Sequence, residues 1–150
     1  MTRNNTEYVL VKNIKIRKLI IRGRNIRFDL NSFTLFVKEI IVEGENIIIY
    51  SSKENPGRIT NIFEIPNGEI MKILSEVRVL CKDLNVLISK RCHIPPIAVL
   101  FITNTQNFTL NNINMNTHGT GLKIDEESCN DISILNGHFS VSKGNGIEMG

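Results

Sequence analysis

Short runs of alternating apolar and polar residues, bounded by Gly or Asn, recur along this chain. Residues 19–28 read Leu-Ile-Ile-Arg-Gly-Arg-Asn-Ile-Arg-Phe, and residues 40–49 read Ile-Ile-Val-Glu-Gly-Glu-Asn-Ile-Ile-Ile. The two segments share one order of residue types at an offset of 21. Their runs have the two-residue period of strands, and none is long enough to form a helix. The pattern therefore predicts repeated short strands.

Later segments repeat in the same way. Gly121 and Gly146 take equivalent positions in the segments 118–124 and 143–149, at an offset of 25. A further set starts at Asn or Asp and falls at offsets of 22 and 24, namely residues 85–88, 107–110 and 131–134. We assign Gly121 and Gly146 a structural role in this repeat.

Repeats of this length, built from short strands, predict a coiled parallel sheet. Each coil lies about 4.8 Å from the previous one and buries its apolar side chains only by stacking. Gly23 and Gly44 then occupy the same tight corner, where a positive φ carries no steric cost for glycine. Asn25 and Asn46 follow that corner, where a side-chain amide can bond to the local backbone and to its counterpart one coil away.

The charges agree with this register, because residues one period apart are lateral neighbours in stacked coils. The predicted opposite-charge neighbours are Lys18 with Glu39, Arg22 with Glu43, Arg24 with Glu45, and Lys123 with Glu148. The pair of Arg17 and Lys38 is the like-charged exception. Each exposed pair contributes only about 0.2–1 kcal/mol, so the charges select a register more than they hold the fold.

The repeats at residues 107–149 carry a family resemblance. They include Asn107-Phe-Thr-Leu-Asn-Asn-Ile, Gly121-Leu-Lys-Ile-Asp, Asn130-Asp-Ile-Ser-Ile-Leu-Asn-Gly-His-Phe and Gly146-Ile-Glu-Met. Together with residues 10–50 and 84–106, this style resembles the right-handed parallel β-helix of the pectin-lyase-like superfamily. The resemblance implies the fold: all-β, a single-stranded right-handed parallel β-helix (β-solenoid) with coils of 21–25 residues. That superfamily includes polysaccharide lyases and hydrolases, phage and viral tailspikes or fibres, and adhesins; none of its catalytic motifs matches a position here.

We expect one β-helix domain over residues 1–150, with first coils at 10–50, an irregular insertion at 51–80 and later coils at 81–150. Within the insertion, the spacing of Ile70, Ile73, Leu74 and Val77 fits a short amphipathic helix, with a strand as the alternative. Pro95-Pro96 predicts a bend before the coils resume at 98–102. Because the last residues stop inside a repeat, we expect a longer solenoid, or self-association or another protein at an open coil end.

Composition excludes several classes of protein. Hydrophobic residues make up 41%, which is enough for a core, while Ala98 is the only alanine, so a helical bundle is excluded. The longest apolar runs are too short to cross a membrane, and residues 1–7 do not form a secretory signal. Three cysteines without zinc-ligand spacing indicate reduced thiols, with no metal or other cofactor expected. These features favour a cytoplasmic or virion location.

A basic patch lies near the N-terminus and comprises Lys15, Arg17, Lys18, Arg22, Arg24 and Arg27. Such a cluster could bind an acidic glycan or a nucleic acid. About half of these cations have acidic neighbours one coil on, and the segment lacks aromatic residues for base stacking. We therefore favour a structural role for the patch and do not expect nucleic acid as a partner.

The candidate catalytic residues are few. Asp125 and Asp131, with Glu126 and Glu127 between them, could hold a hard cation or act as an acid/base pair on a glycosidic bond. The resemblance to lyases, in which an Arg or Lys acts as base beside a carboxylate-bound cation, adds Arg91. Carboxylates in a loop more often face solvent, so no catalytic site is assigned.

Two main hypotheses for function follow. The first is a non-catalytic structural or interaction β-helix, used as a rigid building block in a virion, a fibre or another assembly. The second is a carbohydrate-active lyase or hydrolase acting on a polysaccharide, with carboxylates drawn from Asp29, Asp83, Asp125 and Asp131. A third and weaker hypothesis is glycan or nucleic-acid binding by the basic N-terminal coil.

Overall fold

The computed structural model describes residues 6–63, 70–74, 78–81 and 98–150. Across these residues the secondary structure is strands and turns, with no helix. The strands are β1 (Thr6–Val9), β2 (Ile14–Asp29), β3 (Thr34–Tyr50), β4 (Gly57–Thr60), β5 (Ile70–Leu74), β6 (Arg78–Cys81), β7 (Leu100–Asn111), β8 (Ile113–His118), β9 (Leu122–Ile124), β10 (Asn130–Leu135), β11 (His138–Ser142) and β12 (Ile147–Met149). No helix in this part of the chain could cross a membrane.

Apart from β5 and β6, the described strands pair only in parallel and form three stacks, which we call faces 1, 2 and 3. Face 1 contains β1, the second halves of β2 and β3, the end of β7, and β10. Face 2 contains the first residues of β2 and β3, then β4, β8 and β11. Face 3 contains Lys18–Arg22 of β2, Ile40–Val42 of β3, the start of β7, then β9 and β12. The chain is a β-solenoid.

The predicted register of the first two coils is confirmed. β2 and β3 pair over their whole length at an offset of 21, so that Gly23 faces Gly44 and Arg22 faces Glu43. In the later coils β7 and β10 pair at an offset of 24, as with Phe108 and Ile132. The 16 and 17 residues of β2 and β3 alternate between buried and outward positions along most of their length. Each fully buried Ile, Leu or Phe contributes about 1.5–3 kcal/mol, so this interior is the main stabilising term.

The core fills the space between the three faces. Face 1 contributes two inward columns, in which Ile26, Ile47 and Phe108 form one and Phe28, Ile49 and Leu110 form the other, all at most 1% exposed. Faces 2 and 3 contribute equivalent columns. A long outward side chain can change without disturbing this packing, and the polar chemistry of the molecule therefore lies on its outer surfaces.

The insertion lies within the third coil, between β4 and β7, and crosses back to the first coil. β5 pairs in parallel with Lys18–Arg22, on the edge of β2 opposite to β3, and β6 pairs antiparallel with β5. The coils resume at Leu100, which pairs with Ile40. The prediction that the coils resume at residues 98–102 is confirmed. The predicted repeat at 85–88 and the bend at Pro95-Pro96 lie outside the described residues.

The short helix considered for this segment was wrong over Ile70–Leu74, where the chain forms a strand. The edge of β2 at Lys18–Arg22 offers backbone groups that an extended segment can pair, and a helix would leave them without those partners. Ile73 is fully buried in the core as part of that strand. Tertiary pairing has overridden a local helical spacing.

Candidate functional site

Four of the six cations in the predicted basic patch are engaged in ion pairs. Lys18 lies 3.4 Å from Glu39, Arg22 lies 2.8 Å from Glu43, and Arg24 lies 3.0 Å from Glu45. These three pairs confirm the predicted charge register, as does the 2.9 Å contact between Lys123 and Glu148. The hydrogen bond from Lys123 also lowers the pKa of Glu148. The patch is therefore not a continuous cationic surface.

Arg27 belongs to a different cluster, on the outer surface of face 1. Its Nε lies 3.4 Å from Glu7 of β1, and its guanidinium lies 4.9 Å from the centre of the Tyr50 ring. The Tyr50 hydroxyl donates a hydrogen bond of 2.7 Å to the same Glu7 carboxylate. Burial raises the pKa of Tyr50, and the bond to Glu7 raises it further. The bond with Tyr50 likewise raises the pKa of Arg27. This cluster joins β1 to the first two coils.

The other two cations, Lys15 and Arg17, lie on face 2. The structure adds Lys38 and Arg58, which the sequence analysis did not assign to the patch. Lys15 faces Phe36 across the strands, and its Nζ lies 5.3 Å from the centre of that ring. We call the outer surface formed by Lys15, Arg17, Phe36, Lys38 and Arg58, together with Phe63, the basic face.

Two phenylalanines lie among these cations. The rings of Phe36 and Phe63 meet edge to face with their centres 5.7 Å apart. The Lys38 Nζ lies 4.4 Å from the centre of the Phe63 ring and donates hydrogen bonds of 2.7 and 2.6 Å to the carbonyls of Asn61 and Phe63. The segment 15–27 of the basic patch itself lacks aromatic residues, but the fold brings Phe36 and Phe63 to Lys15 and Lys38. The insertion carries Phe63 to Phe36, and one coil period separates Phe36 from Lys15.

Face 2 also differs from the other faces in its lack of carboxylates. Its segments, residues 13–17, 33–38, 57–63, 113–118 and 138–142, contain no Asp or Glu. Below Arg58 the outer side chains are amides, hydroxyls and imidazoles. Asn114 and His138 lie in the column of Arg58, with Asn116 and Ser140 beside them. These segments thus contain no acidic side chain of their own, although Glu39 follows Lys38 directly in β3.

The corner between faces 3 and 1 carries a column of asparagines. Asn25, Asn46, Asn107 and Asp131 occupy it in successive coils, all with φ between 55° and 62°. The Asn46 amide donates 3.0 Å to the Asn25 side-chain oxygen, and the Asn107 amide donates to that of Asn46. Asn tolerates this left-handed conformation better than most residues. The asparagine side chains of this column hydrogen-bond to one another, so the column is a structural element.

The glycines singled out from the sequence are packed tightly. Gly23 and Gly44 stack in the same corner with φ of 136° and 146°. In the third coil a bulge opposite Val42–Gly44 brings Thr105 to the glycine position. Gly121 and Gly146 also lie one above the other, and a Cβ on Gly121 would approach the Gly146 carbonyl oxygen to 2.9 Å. At these positions the backbones of neighbouring coils lie close together, which favours residues without a side chain.

The candidate catalytic carboxylates that the structure describes each lie in a turn or at a corner. Asp125 accepts a 2.8 Å hydrogen bond from Ser128 in its own turn, and Asp131 occupies the asparagine column. Asp29, which is 4% exposed, accepts hydrogen bonds from the backbone of Asn31 and from the backbone and hydroxyl of Ser52. Asp83 and Arg91 lie outside the described residues.

The described residues hold no group of three or more His, Cys, Asp or Glu side chains that could bind a metal ion. Cys129 is a free thiol, half-buried, and donates to the Ile102 carbonyl at 3.5 Å. The side chains of the other two cysteines lie outside the described part of the chain.

Some residues of the basic face that were not predicted carry a signal in the sequence, and others carry none. Phe36 lies one offset of 21 after Lys15, so the register already predicted that contact. Arg58 lies 24 residues after Thr34, on the far side of a loop rich in Ser and Pro, and Phe63 reaches face 2 through the insertion. No repeat signal marks these two positions.

No protein-family model, curated protein or solved structure matches this chain. The assignment of the fold therefore rests on the strand register itself.

Proposed function

We propose that this chain is a non-catalytic structural and interaction module, a rigid β-solenoid that associates head to tail with further copies of itself. The observation that carries the proposal is a difference between equivalent inward positions. Leu122 and Ile124 are 0% and 4% exposed, whereas Ile147 and Met149, which pair with them one coil later, are 44% and 59% exposed. Stacking one further layer of strands on this edge would bury the second pair as it buries the first, and in a head-to-tail copy that layer would be the β5–β6 pair, which covers the same face of the first coil.

The two ends have complementary charges. Residues 6–29 contain seven Lys or Arg and two acidic residues, while residues 122–150 contain two Lys and five acidic residues. Opposite charges at the two ends favour head-to-tail contact over the joining of like ends.

The two ends also have complementary apolar positions. Val9 of β1 and Leu135 of β10 lie in the same outward column of face 1, at its two ends, and are 46% and 48% exposed. If the free edge of β10 paired with β1 of a second copy, these side chains would become neighbours. Such a heterologous contact is open-ended and produces fibres unless a rotation closes it.

The positions of the candidate carboxylates agree with a non-catalytic role. Asp29 serves the turn that follows face 1, and Asp125 and Asp131 lie at the corner between faces 3 and 1. Asp29 and Asp125 have hydrogen-bond partners within the solenoid, so neither needs a substrate to account for it.

Sedimentation velocity at increasing protein concentration tests the proposal. We expect concentration-dependent assembly that weakens at high salt, because screening reduces the attraction between the charged ends. Replacing Val9 and Leu135 together by Asn should weaken assembly, whereas Ile62→Asn, a change at a 55% exposed corner residue, should not. A chain that stays monomeric at every concentration, or that assembles equally well in all variants, would contradict the proposal.

A further inference from the structure

One outer edge of the first coil is already covered by a strand from the insertion. β5 pairs in parallel with Lys18–Arg22 of β2, on the side away from the second coil, and β6 pairs with β5 in turn. Ile73 of β5 is fully buried there. On face 1 the first coil carries only β1, and on face 2 none of the described strands covers the first residues of β2. Face 3 is therefore covered two strands deep at the N-terminal end of the solenoid.

β5 has the same order of residue types as β12, the last strand of face 3. Each strand has two apolar residues with a charged residue between them, namely Met71, Lys72 and Ile73 in β5, and Ile147, Glu148 and Met149 in β12. In each strand the first of these residues lies in the column of Leu19 and the third in the column of Ile21. β5 thus occupies the position that β12 of a second copy would take if the solenoid continued without a break.

With β5 and β6 in place, a second copy cannot pair with all three faces. The two strands take up about 9.6 Å along the solenoid axis, at about 4.8 Å per strand. If β12 met β6 of the next copy, β10 would lie too far from β1 of that copy to pair with it. If β10 paired with β1 instead, β12 would overlap the space of β5 and β6. Only removal of β5 from this edge lets the three faces pair together.

The other two faces match in the uninterrupted register. On face 2, Phe139 and Val141 of β11 would lie against Ile14 and Ile16 of the next copy. On face 1, an apolar residue of β10, Ile134, would lie against β1 in the same way. Ile14, Ile134, Phe139 and Val141 are only half-buried in the isolated chain. The junction would bury them as the inner coils bury their equivalents.

The charged residue in the middle of each strand favours β12 over β5 at this edge. β5 places Lys72 opposite Ile20. The diagonal neighbours of that position are Lys18 and Arg22, which have the same charge as a lysine. Glu148 of a second copy would take the same position with the opposite charge. Because opposite charges on neighbouring strands stabilise a sheet and like charges destabilise it, the edge suits β12 better than its present strand.

We propose that the Lys18–Arg22 edge is the docking site for β12 of a second copy, and that β5 is a cap which β12 displaces. This inference rests on the head-to-tail association proposed above and adds its register and its regulation. In the isolated chain β5 covers the edge, and in the assembly β12 replaces it so that all three faces pair. Since each junction requires one β5 strand to leave, the strength of the β5 contact sets the concentration at which copies assemble.

A disulfide that holds β5 on β2 tests the cap. In a background with the native cysteines replaced by Ser, Ile20→Cys with Lys72→Cys joins two register partners across this edge. In sedimentation velocity the oxidised chain should assemble at least about tenfold more weakly than the reduced chain, because β5 can no longer leave. The matched control is Arg24→Cys with Glu45→Cys, which joins the first two coils and leaves β5 free. Its assembly should be the same in both redox states.

Mixed copies test the register of the junction. In the same background, copies with Ile20→Cys should form an intermolecular disulfide with copies that carry Glu148→Cys, the residue that β12 would place opposite position 20. Copies with Glu127→Cys, a change at an exposed turn residue, should be trapped slowly. Without any cross-link, Lys72→Glu should weaken assembly by about threefold, because it gives β5 the favourable charge that β12 otherwise brings.

The results separate the cap from the association on which it depends. Equal assembly of the oxidised and reduced Ile20→Cys, Lys72→Cys chain would overturn the cap and leave head-to-tail association in place. Trapping by Glu148→Cys no faster than by Glu127→Cys would do the same. A reduced chain that stays monomeric at every concentration would overturn head-to-tail association itself, and the cap with it.

Discussion

Gly44 stacks directly on Gly23, so that a Cβ on Gly44 would overlap the Gly23 carbonyl oxygen. Both residues also have a positive φ, of 146° and 136°, which L side chains rarely adopt. This contact lets two coils turn the same corner at the spacing of a sheet. The corner glycines therefore set how closely the first two coils can approach.

Gly44→Ala is expected to destabilise the chain by about 3 kcal/mol or more, because the new methyl group must push two backbones apart. Gly119→Ala is the matched control. Its φ of 87° is also positive, but a Cβ there would meet nothing within 4 Å. Gly119→Ala should lower the free energy of unfolding by about 1–2 kcal/mol, which is the cost of a left-handed backbone conformation for an L residue. Denaturant unfolding of both variants measures the difference, and equal costs would mean that the two coils are not in contact at Gly44.

Asp131→Asn is expected to stabilise the chain by about 0.5–1.5 kcal/mol. Asp131 occupies the fourth position of the asparagine column with a φ of 58°, and a carboxylate has no proton to donate towards Asn107. An amide at this position can extend the ladder that already joins Asn25, Asn46 and Asn107.

Asp125→Asn is the control for that change, because the Asp125 carboxylate accepts from Ser128 and gains nothing from an amide. Thermal unfolding of the two variants compares them directly. A loss of stability in Asp131→Asn would show that the column does not continue into the fourth coil.

Much of this architecture was predictable from the sequence, because coils one and two repeat without interruption. The offset of 21 placed Gly23 on Gly44 and Arg22 beside Glu43, since apolar period, corner residues and charge signs all selected one register. The pairing of Lys123 with Glu148 followed in the same way from the offset of 25.

An irregular insertion over residues 51–80 was predicted, but its contacts were not predictable, because they depend on the folded coils around it. Asn107 lies on Asn46, 61 residues earlier, and no local repeat reveals that distance. β5 pairs with the outer edge of β2, because the backbone groups of that edge have no other described strand to pair with. The basic face required both kinds of information, since Phe36 follows from the register while Arg58 and Phe63 do not.

Alkaline pH is expected to destabilise the cluster of Glu7, Arg27 and Tyr50. Burial, reinforced by the bond to Glu7, raises the pKa of Tyr50 above its ordinary value of 10.0, so the folded state favours the neutral phenol. This contribution to stability is complete below the unfolded pKa and is lost as the pH rises through the folded pKa.

Tyr50→Phe removes this titration and is the control. The free energy of unfolding of the wild-type chain should fall more steeply above the ordinary tyrosine pKa than that of the variant. Parallel curves for the two proteins would mean that Tyr50 titrates as it does in the unfolded chain.

The central claim is that residues 19–28 and 40–49 lie side by side as parallel strands, and disulfide trapping tests it most directly. In a background with the native cysteines replaced by Ser, the account predicts rapid oxidation of the Cys pairs Arg22→Cys with Glu43→Cys and Arg24→Cys with Glu45→Cys, whose parent residues are register partners. The exchanged combinations, Arg22→Cys with Glu45→Cys and Arg24→Cys with Glu43→Cys, should oxidise slowly, because diagonal neighbours are about 7–8 Å apart. Faster trapping of the exchanged combinations would indicate an antiparallel hairpin and would contradict the solenoid.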